Sequence, residues 1–259
     1  MAGSVSFDRA AECYDRTRVT DPVALTATID LLERELGSRG RVLEIGVGTG
    51  AIAIPLAGRG VPVLGIDVSP AMLAQLRSKR GGERVPVAVG DATRLPLVDG
   101  TCGGGYMRWV LHLIPAWREA VAELCRVLGP GGVVVVDPGG YRGDWLEIWR
   151  RVRAELGAAV DPVGLDTDER GFDDLDEAFA RHGAIARALP SVRAPSPSTL
   201  AAFFEQARAR SYSWTWRVDP ATLGQALDRV ELWARERHGE NLDRVAGEIE
   251  MTWRAYDLP

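Results

Sequence analysis

Hydrophobic residues along this chain fall into two alternating patterns. Val42-Leu43-Glu44-Ile45, Val61 to Ile66, Val85 to Val89 and Val133 to Val136 are short runs rich in β-branched residues. That is the pattern of strands buried on both faces. Between them, Leu25, Ile29, Leu32 and Leu36 recur at helical spacing behind Asp21-Pro22, and Met72, Leu73 and Leu76 follow Ser69-Pro70. An Asp or Ser before Pro marks a helix start, because its oxygen caps free N–H groups and Pro suits the first turn. Trp117, Val121, Leu124 and Leu128 trace a further helix, which Gly129 closes. Strands and helices in this alternation predict an α/β fold, a doubly wound Rossmann-like sheet, mostly parallel.

A fourth strand is expected from Cys102 to Arg108, although Gly103-Gly104-Gly105 weakens it. Such a run implies either a loose strand or another backbone in close approach. Beyond residue 140 the pattern changes. Gly143 to Ala159, Phe172 to Arg181 and the stretch around Phe203-Phe204 read as helices, with a Pro-rich segment ending at Pro197. This is too long for a plain loop and predicts a helical cap over the strand ends. Tyr212-Ser213-Trp214-Thr215-Trp216 alternates as a strand, Asp219-Pro220 opens a helix, and Ile249 to Tyr256 alternates as a last, antiparallel strand. The expected division is a core with an N-terminal arm over 1–140, a helical cap over 141–209, and C-terminal strands and a helix over 210–259 that complete seven strands.

Composition narrows the partners. The 259 residues are 46% hydrophobic and 26% charged with net charge −5, ordinary for a globular protein and without a field that favours a polyanion. No nucleic-acid partner is expected. The three cysteines are scattered, without metal-ligand spacing, and read as small buried hydrophobes in a reducing compartment. Neither a membrane span nor a signal-peptide pattern is evident, so a cytoplasmic protein without membrane contact is expected, and a homodimer is left open.

The chemistry gathers around Glu44-Ile45-Gly46-Val47-Gly48-Thr49-Gly50. A buried strand, a glycine turn and a helix start form the first crevice of a nucleotide-binding βαβ unit, where bare backbone and free N–H groups meet the ligand. The third glycine falls one place early for the dinucleotide fingerprint, and no Lys-Ser/Thr follows as in a P-loop. Asp67 ends the second strand roughly twenty residues on, where an acid takes ribose hydroxyls. Val68 and Met72 lie close enough to touch an adenine ring.

The Glu44–Gly50 stretch resembles, at every position, the first motif of class I S-adenosyl-L-methionine (SAM)-dependent methyltransferases. Phe7-Asp8-Arg9-Ala10-Ala11-Glu12-Cys13-Tyr14-Asp15 and Arg18 resemble the lead-in of small-molecule methyltransferases related to the ubiquinone/menaquinone C-methylation enzymes, as do Trp109 to Ile114 and Arg126 to Gly132. The resemblance implies SAM as cofactor, S-adenosyl-L-homocysteine (SAH) as product and a small-molecule acceptor for O-, C- or N-methylation. It further implies that Tyr14 covers the sulfonium and Arg18 pairs with the carboxylate. Asp91 would accept from the adenine amino group, with the Ala92 N–H on the ring nitrogen. Arg108, at the end of the fourth strand, joins the cofactor set. His112 borders the transfer point as a candidate general base, and Tyr106 or Tyr141 would orient the acceptor. No metal is called for. Arg108-Trp109-Val110 stands where enzymes that methylate nitrogens in DNA or protein carry Asn/Asp-Pro-Pro-Tyr. A non-catalytic SAM/SAH-binding protein and a nicotinamide-dependent oxidoreductase are the alternatives.

Overall fold

The computed structural model describes residues 3–18, 21–141, 143–167, 171–243 and 248–259. Helices α1 (Tyr14–Thr17) and α2 (Pro22–Leu36) lead into β1 (Val42–Ile45), α3 (Ala53–Gly58), β2 (Val63–Asp67), α4 (Pro70–Ser78) and β3 (Val87–Val89). β4 (Gly104–Arg108), α5 (Trp117–Leu128) and β5 (Val133–Asp137) follow. Then come α6 (Gly143–Leu156), α7 (Gly171–Ala180), β6 (Ile185–Ala188), β7 (Val192–Pro195), α8 (Leu200–Arg208), α9 (Pro220–His238), β8 (Glu248–Met251) and β9 (Arg254–Asp257).

Seven strands form one sheet in the order β3-β2-β1-β4-β5-β9-β6. β1 to β5 run parallel, and β9 pairs antiparallel with both β5 and β6. The strand order reverses between β1 and β4, so a crevice opens beyond their C-terminal ends. Val133 to Val136 are buried on both faces, and hydrophobic clusters line each side. One draws on α2, α3 and α4, the other on α5 and α7. The expected helix starts are present. Asp21 accepts from the Val23 and Ala24 amides, Ser69 from Met72, and Asp219 from Ala221 and Thr222.

The glycine run in β4 is a close approach. A Cβ on Gly103 would stand 2.0 Å from the Arg39 carbonyl oxygen, one on Gly104 3.0 Å from Leu36, and one on Gly105 3.0 Å from Leu124. Missing side chains let α2 and its following turn settle on one side of β4 and α5 on the other.

The C-terminal half departs from expectation in three places. The Pro-rich segment contains β6 and β7, and the single last strand is two, β8 and β9. These strands make one bent ribbon. β6 pairs with β9 in the main sheet, the Leu189 amide donates to the Trp253 carbonyl at 3.0 Å, and β7 then pairs with β8 in a separate two-stranded sheet. Pro190, lacking an N–H, sits in the bend. Tyr212–Trp216, expected as a strand, is a 3-10 turn over Ser213–Arg217. Local bonds win there. Thr215 donates both its amide and its hydroxyl to the Tyr212 carbonyl, and the Trp216 indole donates to the Arg210 carbonyl at 2.7 Å. A third hydrophobic cluster joins α6, α8, this turn and α9 into the helical cap, so α9 packs in the cap while β6 belongs to the main sheet.

Candidate functional site

A cavity of about 660 Å³ lies beyond the ends of β1, β2 and β4 and runs up into the helical cap. Single-ligand sites span roughly 300–1,000 Å³, so this volume suits a cofactor and a modest acceptor side by side.

The floor is the glycine turn. Gly46 and Gly48 have φ of +73° and +53°, values side chains resist, and a Cβ on Gly46 would stand 2.7 Å from Val110. Asp67, at the tip of β2, fastens the turn. Its Oδ2 accepts from the Gly48 N–H at 2.8 Å and its Oδ1 from the Ser69 N–H at 2.9 Å. Burial raises the Asp67 carboxyl, against the pull of those two amides. A carboxylate has about four acceptor sites, so Asp67 keeps capacity for the hydroxyls of a ligand. Val68, Met72, Gly90 and Ala92 continue the wall.

Beneath the floor lies a buried acid. The Tyr106 hydroxyl donates to Glu44 Oε2 at 2.7 Å, and burial pushes the Glu44 carboxyl up to about 8. Neither residue lines the cavity. The expectation that Tyr106 orients an acceptor is therefore corrected. Tyr106 pairs in register with Glu44 and Val135, two residues short of the strand tip, and its ring is wholly buried under α2. Glu44, the first residue of the glycine motif, also lies behind the cavity wall, with Tyr106 as its hydrogen-bond partner. Gly50 is likewise absent from the wall, and a Cβ there would meet Ile54 and Leu76 at 2.9 Å, so its role is the start of α3.

Residues 4–18 form a roof. The Val5 amide donates to the Leu113 carbonyl at 3.0 Å, Asp8 accepts from the Ser69 hydroxyl and the Ala71 amide, and Asp15 meets both Thr49 Oγ1 and Lys79 Nζ at 2.6 Å. Asp91 stands just outside the cavity wall. Its Oδ1 takes the Thr93 amide and hydroxyl, and the Ser4 hydroxyl reaches both of its oxygens at 3.4 Å. Tyr14 points into the cavity within the fields of Arg18, Arg108 and Asp67, and burial raises its hydroxyl. Arg18 donates to the Thr17 and Ser211 carbonyls and lies 4.5 Å over the Tyr212 ring, which ties the arm to the helical cap. Phe7 packs edge-on against Trp216 at 4.9 Å. Sequence reading missed this second half of the clasp, because Tyr212 to Trp216 alternates like a strand.

Past Tyr14 the cavity turns aromatic. Trp149 sits 5.3 Å from Tyr141 and 5.4 Å from Trp214, and Phe203 sits 5.6 Å from Trp145 and 5.5 Å from Tyr212. His112, in a 3-10 turn over Leu111–Leu113, lines the passage between the two ends. Burial and the charge of Arg18 push its imidazole down to about 4, so it is neutral across the physiological range. Trp109, also on the wall, was not singled out from sequence. Among the described residues no group of His, Cys, Asp and Glu could hold a metal, and no helix is long and apolar enough to cross a membrane.

Fold and site together define a doubly wound α/β protein with a two-ended ligand cavity at its switch point. Comparison with known proteins carries this further. The family description "Methyltransferase domain" matches residues 43–136. A malonyl-[acyl-carrier protein] O-methyltransferase of Geobacter sulfurreducens is 32% identical over 184 residues, which cover 69% of this chain and 68% of that protein. A demethylmenaquinone methyltransferase of Beutenbergia cavernae is 35% identical over 135 residues, 50% of this chain and 55% of that one. The chain thus spans about half the length of the demethylmenaquinone relatives it matches. A putative methyltransferase from an antibiotic biosynthesis pathway of Anabaena variabilis shares the fold with TM-score 0.64 at 18% identity, covering 94% of this chain and 99% of its own. The chain belongs to the class I SAM-dependent methyltransferases, and SAM is the cofactor of that family.

Proposed function

We propose that this protein transfers a methyl group from SAM to a small organic acceptor held in the aromatic end of the cavity. The observation that carries the reading is the continuity of the cavity, from a glycine floor with a half-satisfied carboxylate, past Tyr14 and His112, into a chamber of rings. Bound on that floor, SAM supplies a methyl carbon that its sulfonium already makes electrophilic. The protein's work is then alignment and exclusion of water.

In this reading Asp67 accepts from the ribose hydroxyls, and Val68 and Met72 flank the adenine. Asp91 reads the amino group and the Ala92 N–H meets the ring; Asp91 Oδ1 takes the Thr93 donors, while Oδ2, met by the Ser4 hydroxyl at 3.4 Å, keeps acceptor capacity for such a role. Arg18 holds the amino-acid carboxylate, and Tyr14 closes over the sulfur. His112 lines the transfer point as a neutral ring. With an imidazole held near 4 it is a weak base, suited to accepting a hydrogen bond that orients an acceptor rather than to removing its proton. Tyr141 faces the same space.

The test is incubation of the full chain with methyl-labelled SAM and a panel of phenols, carboxylic acids and amines. Label in an acceptor, with equimolar SAH, is the expected result. SAH binding without label transfer to any acceptor would move the assignment to a non-catalytic SAM-binding protein. Binding of NAD in place of SAH would move it to an oxidoreductase.

A further inference from the structure

Arg108, at the C-terminal tip of β4, lines the cavity with a guanidinium that finds almost no oxygen. Its side chain is only 11% exposed, and the nearest carboxylate oxygen, Asp137 Oδ2, lies at 3.6 Å, beyond a hydrogen bond. Its Nη2 meets the Met251 thioether at 3.2 Å, a weak acceptor, and its buried Nε, ion-paired with the buried Asp137 at that distance of 3.6 Å, has no hydrogen-bond partner. A guanidinium has five N–H donors, and leaving them unsatisfied out of water is costly unless a ligand completes the set.

Trp109, the next residue, is strained towards the same place. Its φ is +55°, a conformation that bulky residues avoid and that functional sites tolerate. The twist lays the indole over the Arg108 guanidinium, 4.2 Å from carbon to ring centroid. Gly139 makes room, since a Cβ there would stand 2.9 Å from Trp109 Cδ1. The indole nonetheless stays 41% exposed and faces the cavity. A large ring held at a backbone cost, on top of a cation short of hydrogen-bond acceptors, has the features of a ligand platform.

Building on the methyltransferase reading, we propose that Arg108 and Trp109 receive the acceptor, and that the acceptor is a planar aromatic molecule bearing a carboxylate. The carboxylate takes the fork of Arg108, whose paired N–H groups match it two by two, and the ring lies along the indole. This replaces the assignment of Arg108 to the cofactor. The same carboxylate chemistry is available from the amino-acid end of SAM, and the experiment separates the two sources.

Calorimetry on the full chain would compare SAH with 5′-methylthioadenosine, which lacks the carboxylate. On the SAH-loaded protein it would compare 4-hydroxycinnamate with its neutral amide. The parent is expected to bind the acid at least tenfold more tightly than the amide. Arg108→Met should erase that preference while the ratio of SAH to methylthioadenosine affinity holds within twofold. Trp109→Gly, which relieves the backbone strain, should weaken acid and amide together about tenfold. SAH binding with no preference for the acid, or with no binding of either probe, overturns the proposal alone. So does an Arg108→Met variant that loses the SAH preference instead. Failure of the parent to bind SAH overturns the methyltransferase reading and this proposal with it.

Discussion

Between Val42 and Ala92 the groups that face the cavity stand within a few residues of a strand end, on backbone that the sheet holds in register. The rings of the chamber come instead from segments scattered between Tyr141 and Trp214, held by one another. The first end offers main chain and a carboxylate, where a misplaced ligand atom would cost a hydrogen bond. The second presents apolar ring surface, with Arg108 and Trp109 at its border as the polar exception. The cofactor end can therefore stay constant while the acceptor end is rebuilt, and the two should respond separately to change.

The largest effect expected from that separation is on stability. Trp214 is 8% exposed and touches Trp149, Phe203 and Tyr212. Trp214→Ala should cost about 3–5 kcal/mol in denaturant unfolding of the helical cap, with SAH affinity within threefold of the parent. A matching collapse of SAH binding would show the two ends to be one cooperative unit. Asp67→Ala should act in reverse. It removes a charged acceptor and frees the Gly48 amide, so SAH affinity should fall by about 2–3 kcal/mol, with the unfolding of the cap unmoved.

A smaller effect concerns pH. The Glu44 carboxyl is pushed by burial from an ordinary 4.5 up to about 8, so it is protonated in the folded protein at neutral pH. The unfolded chain releases that proton first, and stability falls as pH rises from near 4.5 through 8. Glu44→Gln should abolish this loss and gain on the parent by about 1–3 kcal/mol between pH 5 and 8. Parallel pH curves for the two proteins would contradict the buried acid. The smallest signal is a negative one. With the His112 imidazole near 4 rather than 6.5, the rate of methyl transfer should show no inflection near pH 6.5. An inflection that His112→Gln removes would restore it as a base.

The glycine turn, the strand tips and the helix caps were legible in the sequence because their signals are local. Asp67 and the glycines that line the turn announce themselves by spacing, and Asp21, Ser69 and Asp219 cap the helices they precede. Tyr106 misled because a tyrosine in β4 looks available, yet strand position decides: Arg108 reaches the tip and Tyr106 does not. Tyr212 to Trp216 misled for a related reason. Aromatic residues alternating with polar ones fit a strand, but among the described residues no strand pairs with this segment, and Trp214 is drawn into the ring cluster instead. The bend at Pro190 likewise depends on a partner ribbon more than fifty residues away. What a segment does alone could be read. What it does because a distant segment receives it could not.

The central claim is that two carboxylates at neighbouring strand ends, above bare backbone, hold the adenosine of the cofactor. Calorimetric titration of SAH into the parent and into an Asp67→Ala, Asp91→Ala double variant tests it most directly. The account predicts tight binding to the parent and a loss of about a thousandfold or more in the double variant, as expected when two charged acceptors are removed. A double variant that keeps the parent's affinity for SAH would contradict it.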